Sequence, residues 1–194
     1  MLMSLLLRNF IRSFLVEASA KLPSKKLRVF DFDDTLVKTK SKIRVVSAKG
    51  DKFELTPGEY AVYEPMQGDV FDYGDFEKLI DPKEIKWTVD ILRNIIKVGS
   101  EVVILTARAD QKPVEEFLQQ SNLPPIKVIA LGSSDPQKKA DYISKRIQDD
   151  GLTHVEFFDD SPKNVKAVIE LRPKFPQTKI ISRHIVHKDE TSQY

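Results

Sequence analysis

The chain has 194 residues, of which 41% are hydrophobic and 31% charged, and its formal net charge is +2. These values are typical of a globular domain with a substantial core and a modest insertion, and the small net charge gives no reason to expect a nucleic acid or an acidic membrane as partner. The chain contains no cysteine, which excludes disulfide bonds and thiolate metal sites and suits a reducing compartment such as the cytoplasm.

Residues 1–22 are predicted to form an amphipathic helix, too short and too interrupted for a membrane span. Ala18–Ala20 resembles a signal-peptidase site, but Arg8 and Arg12 break the apolar region that a signal peptide requires. Either the helix packs on its own domain, or residues 1–20 dock on another protein. The apolar residues at helical spacing are Leu5, Leu6, Leu7, Phe10, Ile11, Phe14 and Leu15.

The next segment is an apolar, β-prone run, Leu27–Phe30, followed by Asp31-Phe32-Asp33-Asp34-Thr35. Carboxylates two residues apart on a strand lie on the same face, where like charges repel unless a cation or a proton lies between them. A hard divalent ion such as Mg²⁺ resolves that conflict with oxygen ligands. The alternative is a surface turn, since aspartate and threonine are also common turn and cap residues.

Residues 37–82 are predicted to be an insertion. A hairpin is expected over 43–55 with Gly50 in its turn, 58–63 is expected to add a strand or a short helix, and 69–75 is expected to be a loop. The acidic residues of that loop lack the spacing and the distal glutamate of an EF-hand. The aromatic residues Tyr60, Tyr63, Phe71 and Tyr73 either contact a ligand or form a small core of the insertion.

The remainder alternates helix and strand, which predicts a parallel sheet with right-handed crossovers. Helices are expected over 83–97, 113–120, 140–149 and 162–171, and strands over 101–106, 126–131, 154–159 and 178–181.

An acid, a hydroxyl, a lysine and a second acid thus occur in order, each at the end of a strand or the start of a helix: Asp31, Thr106, Lys138 or Lys139, and Asp159-Asp160. In open α/β sheets ligands bind at that edge. Lys139 is favoured over Lys138 because Tyr142 and Ile143 follow it by three and four residues, which places it on the inward helix face.

With these four motifs the chain resembles the haloacid dehalogenase (HAD) superfamily of aspartate-based phosphotransferases. The resemblance covers residues 27–182. It implies a Rossmann-like parallel sheet with helices on both faces as the core, over residues 23–36 and 83–182. It further implies a small β-rich cap over the active site at 37–82, and the polar residues 183–194 are expected to form a tail in which His184 and His187 are exposed to solvent.

The resemblance also implies roles for individual residues. Asp31 is the expected nucleophile that forms an aspartyl-phosphate, and Asp33 is the expected general acid and base. The expected Mg²⁺ ligands are Asp31, the backbone carbonyl of Asp33, and Asp159, with Asp160 acting through water or holding the lysine. Thr106 and Lys139 are expected to contact the phosphoryl group, and Thr35, Ala107, Arg108 and Lys138 are further substrate-binding candidates.

The predicted function is therefore Mg²⁺-dependent hydrolysis of a phosphorylated small molecule or nucleotide. A different class of function is also open: a structural or virion-associated protein, encoded by a tailed bacteriophage, that keeps this scaffold and docks through its N-terminal helix. Nucleic-acid end repair is a third hypothesis, supported only by the basic run Lys38, Lys40, Lys42 and Arg44, with no kinase P-loop.

Overall fold

A computed structural model describes residues 25–187, so the helix predicted over residues 1–22 lies outside the described part. The strands are β1 (Lys26–Phe30), β2 (Val37–Lys38), β3 (Ile43–Val46), β4 (Lys52–Leu55), β5 (Val70–Asp72), β6 (Lys83–Glu84), β7 (Glu101–Thr106), β8 (Lys127–Ala130), β9 (His154–Asp159) and β10 (Lys179–His184). The helices are α1 (Pro57–Val62), α2 (Lys86–Lys97), α3 (Lys112–Gln120), α4 (Pro136–Asp150) and α5 (Pro162–Ile169), with a 3-10 turn at Gly74–Glu77.

Five parallel strands form the central sheet in the order β10-β9-β1-β7-β8. The chain runs outward from β1 through β7 to β8, and then returns across the sheet to β9 on the other side of β1. Strand order therefore reverses between β1 and β9, and the crevice at the carboxyl ends of those strands is the expected ligand site of such a sheet. The predicted parallel α/β, Rossmann-like fold is confirmed.

Helices cover both faces of this sheet, as the alternation of side chains along buried strands requires. Phe30 packs on the face covered by α2 and α3, with Leu92 and Phe117, while its neighbour Val29 packs on the opposite face with Ile143 of α4 and Val168 of α5. Across the reversal point, the Phe30 and Phe158 rings stack with centroids 4.3 Å apart.

Two helices begin three or four residues away from the predicted start. Helix α4 starts four residues before the predicted Ala140, because Asp135 caps it by accepting a hydrogen bond from the Gln137 N–H (2.9 Å) and Pro136 suits the first helical position. Helix α2 starts at Lys86 rather than Lys83, because β6 pairs with β2 instead.

The insertion contains a three-stranded antiparallel sheet, in the order β4-β3-β5, together with α1. The predicted hairpin of β3 and β4 is confirmed. Of the two alternatives for 58–63, the short helix is the correct one: it spans Pro57–Val62 and begins with a capping box between Thr56 and Glu59. The loop prediction for 69–75 is wrong, because β5 pairs with β3 and Phe71 packs against Tyr60 and Tyr63.

The start of the predicted tail is also ordered. Strand β10 continues through His184, where its last residues pair with Phe158 and Asp159. His184 is exposed, as expected, although its Nε2 lies 2.8 Å from the Asp160 carbonyl. The expectation of solvent exposure is wrong for His187, which is half-buried with Nε2 2.6 Å from the Asp34 carbonyl. None of the helices within residues 25–187 has both the length and the apolar content needed to cross a membrane.

Candidate active site

The first acidic motif lies at the end of β1, beside the end of β9. The Asp31 N–H donates to the Phe158 carbonyl (2.9 Å), which extends the ladder between the two strands by one residue. The Asp31 residue is 6% exposed and Asp159 is fully buried. Two carboxylates are therefore held side by side at the point where strand order reverses.

Thr35, expected to bind substrate, does not line the cavity and instead links the two acidic motifs by hydrogen bonds. It is fully buried, its Oγ1 accepts a hydrogen bond from the Asp160 N–H (3.1 Å), and its carbonyl accepts one from the Thr88 hydroxyl (2.5 Å). Asp34 adopts a left-handed conformation (φ 54°) in the tight turn before it. This turn sets the position of Asp33 relative to Asp160.

Lys139 lies between the two strand ends. Its Nζ donates to Asp31 Oδ1 (2.6 Å) and to Asp159 Oδ2 (2.7 Å). Burial on its own would lower the pKa of Lys139, but the negative charges of Asp159 and Asp31 outweigh it and hold the pKa above its ordinary value. Lys138 is exposed and does not line the cavity, so of the two candidate lysines only Lys139 reaches the acids.

The two aspartates that end β9 have different surroundings. Asp159 accepts hydrogen bonds from Lys139, from the Ser161 N–H (2.8 Å) and from the Asn164 amide (3.0 Å to each oxygen). Burial raises its pKa to about 6, partly offset by Lys139. The aspartate of this pair that holds the lysine is thus Asp159, so of the two roles expected for Asp160, acting through water or holding the lysine, the second is wrong.

Asp160 lines the cavity, and the described residues give its carboxylate no hydrogen bond. Burial raises its pKa to about 9, with further contributions from the charges of Asp31, Asp159 and Asp34. An acid in such surroundings holds a proton at neutral pH unless a cation comes close to it.

The acids suit a hard divalent cation. Carboxylate oxygens of Asp31, Asp159 and Asp160 all lie within 4.8 Å of one another. Together with those of Asp33 and Asp34, five carboxyl groups lie at this edge of the sheet, whereas the cations beside them are two, Lys139 and Arg108. The excess of negative charge and the all-oxygen donor set fit Mg²⁺ or Ca²⁺ and do not distinguish between them.

Arg108, expected to bind substrate, pairs instead with an acid. Its Nε and Nη2 donate to the two oxygens of Asp33 (2.9 and 2.7 Å), and its Nη1 donates to the Phe76 carbonyl of the insertion (2.8 Å). Burial raises the pKa of Asp33, although the bonded Arg108 works in the opposite direction. Arg108 therefore orients Asp33 and ties the insertion to the core.

The residues before Arg108 shape the same loop. Thr106 is fully buried and its Oγ1 accepts a hydrogen bond from the Arg108 N–H (3.2 Å), which leaves its own O–H to donate elsewhere. Ala107 lines the cavity.

A cavity of about 600 Å³ separates this acidic edge from the insertion. Three of the four aromatic residues, Tyr60, Tyr63 and Tyr73, line the cavity and also pack on Phe71. The interpretation that these aromatics form a small core of the insertion is confirmed, and contact with a ligand stays a prediction. Ser134 and Lys163 also line the cavity, and neither was predicted as a site residue. The position of Ser134, a few residues after β8, is a signal that could have indicated it, since carboxyl ends of parallel strands meet at one edge.

Comparisons with known proteins add little. No family model matches the chain, and no curated protein matches it. A hypothetical protein from Xanthomonas campestris is similar in structure, with 18% identity and a TM-score of 0.38 over 75% of this chain and 59% of that one. The catalytic domain of the CPx-ATPase CopB-B is similar with 20% identity and TM-scores of 0.32 and 0.33 in two structures, covering 67% and 69% of this chain and 44% and 45% of those. The chain thus spans less than two thirds of each of these structures.

Proposed function

We propose that this protein is a Mg²⁺-dependent phosphatase of the HAD type, which hydrolyses a phosphate monoester through an aspartyl-phosphate on Asp31. The observation that carries the proposal is the placement of Lys139 between Asp31 and Asp159, with the Asp160 carboxylate within 4.8 Å of both acids at the reversal point of the sheet. Phosphoryl transfer needs a positioned nucleophile and positive charge around the transferring oxygens, and this edge supplies both.

In the first step a carboxylate oxygen of Asp31 forms a bond to phosphorus, and the bond from phosphorus to the ester oxygen breaks. Asp33 gives its proton to the departing alcohol once Arg108 releases one of the two carboxyl oxygens that it holds, and burial of this carboxyl group favours the protonated form. In the second step water attacks phosphorus and Asp33 takes up its proton. Asp31 is released as a carboxylate together with inorganic phosphate.

The surrounding residues supply charge and hydrogen bonds. Asp31, Asp160 and the Asp33 carbonyl would hold the Mg²⁺, while Asp159 is engaged with Lys139, Ser161 and Asn164. When bound, the ion supplies positive charge that neutralises the phosphoryl oxygens. Lys139 adds a second positive charge beside the phosphoryl oxygens. Thr106 is fully buried and does not line the cavity, so no phosphoryl contact is proposed for it.

The test is phosphate release from a panel of phosphate monoesters with and without Mg²⁺, using the wild-type protein, Asp31→Asn and Lys139→Ala. We expect Mg²⁺-dependent turnover that falls by about 10³-fold or more in Asp31→Asn, because an amide is nearly isosteric with the acid but does not act as the nucleophile. Lys139→Ala should lose activity on a similar scale, since it removes both the charge and the tether of Asp31.

Lys138→Ala is the matched control, because it removes the neighbouring exposed lysine, and it should keep wild-type turnover. Circular dichroism should show that Asp31→Asn is folded. Wild-type turnover by Asp31→Asn would refute the covalent mechanism.

A further inference from the structure

The cavity above the acidic edge has two chemically different ends. Its floor carries Asp31, Asp33 and Asp160, and its outer wall is formed by the insertion, including Pro57 and Tyr60. Its volume of about 600 Å³ lies within the range of sites that enclose a small organic molecule. The space therefore admits a leaving group as well as the phosphoryl group.

The outer end offers little positive charge. Among residues 25–187, Lys163 is the lining cation at this end, and one of the three N–H groups of its Nζ donates to the Tyr63 carbonyl (2.7 Å). Arg108 and Lys139 are paired with acids of the floor. A second phosphate or a carboxylate on the leaving group would need a desolvated cluster of cations, which the lining residues in the described part of the chain do not provide. The leaving group that fits this end is uncharged.

The outer wall offers aromatic faces and hydroxyl groups. One face of Tyr73 stacks on Phe71 (centroids 6.1 Å apart, 23° between the planes), yet Tyr73 is 43% exposed, which leaves ring surface available to a ligand. The Tyr60 hydroxyl lies 2.7 Å from the Tyr73 hydroxyl and 3.0 Å from Ser134 Oγ, so hydroxyl groups of the insertion and the core meet beside these rings. This combination suits a planar ring with an apolar face and a polar edge.

We infer that the substrate is a phosphate monoester of an uncharged alcohol that carries a planar heteroaromatic ring, the chemistry of a nucleoside monophosphate. The phosphate lies at the floor, and the ring packs on Tyr73 with its polar edge toward the hydroxyl groups of Tyr60 and Ser134. The inference rests on the proposed function and adds the leaving-group class to it.

The experiment compares four esters at saturating Mg²⁺: adenosine 5′-monophosphate, glucose 6-phosphate, glycerol 2-phosphate and fructose 1,6-bisphosphate. We expect kcat/KM for the nucleotide to exceed each of the others by about tenfold, the scale of one base-aromatic stacking contact. Tyr73→Ala should lower the ratio of kcat/KM for adenosine 5′-monophosphate to that for glycerol 2-phosphate by a similar factor, and Tyr73→Phe should keep most of it. Trp87→Ala, an exposed aromatic on α2 outside the cavity, is the control and should leave the ratio unchanged.

Hydrolysis of glucose 6-phosphate or fructose 1,6-bisphosphate with a kcat/KM equal to or above that for adenosine 5′-monophosphate would overturn the inference. An unchanged ratio in Tyr73→Ala would also overturn it. Either result would leave the phosphatase proposal intact. If no ester is hydrolysed, the proposed function fails. Calorimetric titration of Asp31→Asn with adenosine 5′-monophosphate then tests separately whether the cavity binds a nucleoside monophosphate. If the nucleotide binds and Tyr73→Ala weakens that binding, the assignment of a nucleoside monophosphate as ligand is supported. If the nucleotide does not bind, the assignment is refuted.

Discussion

At the scale of single residues, the arrangement of acids at the ends of β1 and β9 opposes folding when no cation is bound. Burial raises the pKa of Asp160 from an ordinary 3.8 to about 9. Between these two values the unfolded chain has lost this proton while the folded protein keeps it. The protonated carboxyl therefore makes its full contribution to the free energy of unfolding below about pH 4. That contribution falls as pH rises and is lost once pH passes about 9, where the folded protein also loses the proton.

Asp160→Asn removes that titration. We expect the metal-free variant to have a free energy of unfolding higher than that of the wild type by about 1–3 kcal/mol at pH 8. This is less than the pKa shift of Asp160 alone would give, because the neighbouring acids titrate together with it. The difference should grow from pH 5 to about pH 9 and then level off. Urea unfolding at several pH values in chelator measures it, with Glu116→Gln, an exposed acid on α3, as the control. A difference that shrinks as pH rises would contradict this account.

At the scale of elements, the start of α4 controls where Lys139 lies. Asp135 accepts a hydrogen bond from the Gln137 N–H, and Lys139 follows within the first turn, from which its Nζ reaches Asp31 and Asp159. A frayed first turn would release Lys139 from both acids.

Asp135→Ala should therefore lower the free energy of unfolding by about 1 kcal/mol, the usual cost of losing an N-cap, and should also lower kcat. Asp135→Asn keeps a capping oxygen and should retain most of both properties. Thermal unfolding and steady-state kinetics on the two variants check this, and equal stability of the alanine and asparagine variants would rule out the capping role.

At the scale of the whole molecule, residues 25–187 contain a parallel sheet with helices packed on each face. The predicted amphipathic helix before it presents Leu6, Phe10, Ile11 and Phe14, and burying each such side chain is worth about 1.5–3 kcal/mol. We expect a protein lacking residues 1–22 to stay folded and active, and the full-length protein to self-associate in the absence of a partner.

Light scattering and thermal melts on both proteins measure these outcomes. If the truncated protein no longer folds, the helix belongs to its own domain and the partner hypothesis is ruled out.

Local patterns in the sequence were sufficient to predict the strand ends that carry Asp31, Thr106 and Asp159, and the inward position of Lys139, because apolar runs and helical periodicity are short-range signals. They did not predict that 69–75 holds a strand, since β5 owes its order to pairing with β3 across the insertion.

Only the tertiary structure decided which charged groups meet. Arg108 and Asp33 are 75 residues apart in the chain, and Lys139 and Asp31 are 108 apart. The sequence alone determined that acids and cations lie at one edge of a parallel sheet, because that follows from where each strand ends. Which carboxylate holds Lys139, which one faces the cavity and which one Arg108 pairs with depend on packing over long chain separations, which no local pattern encodes.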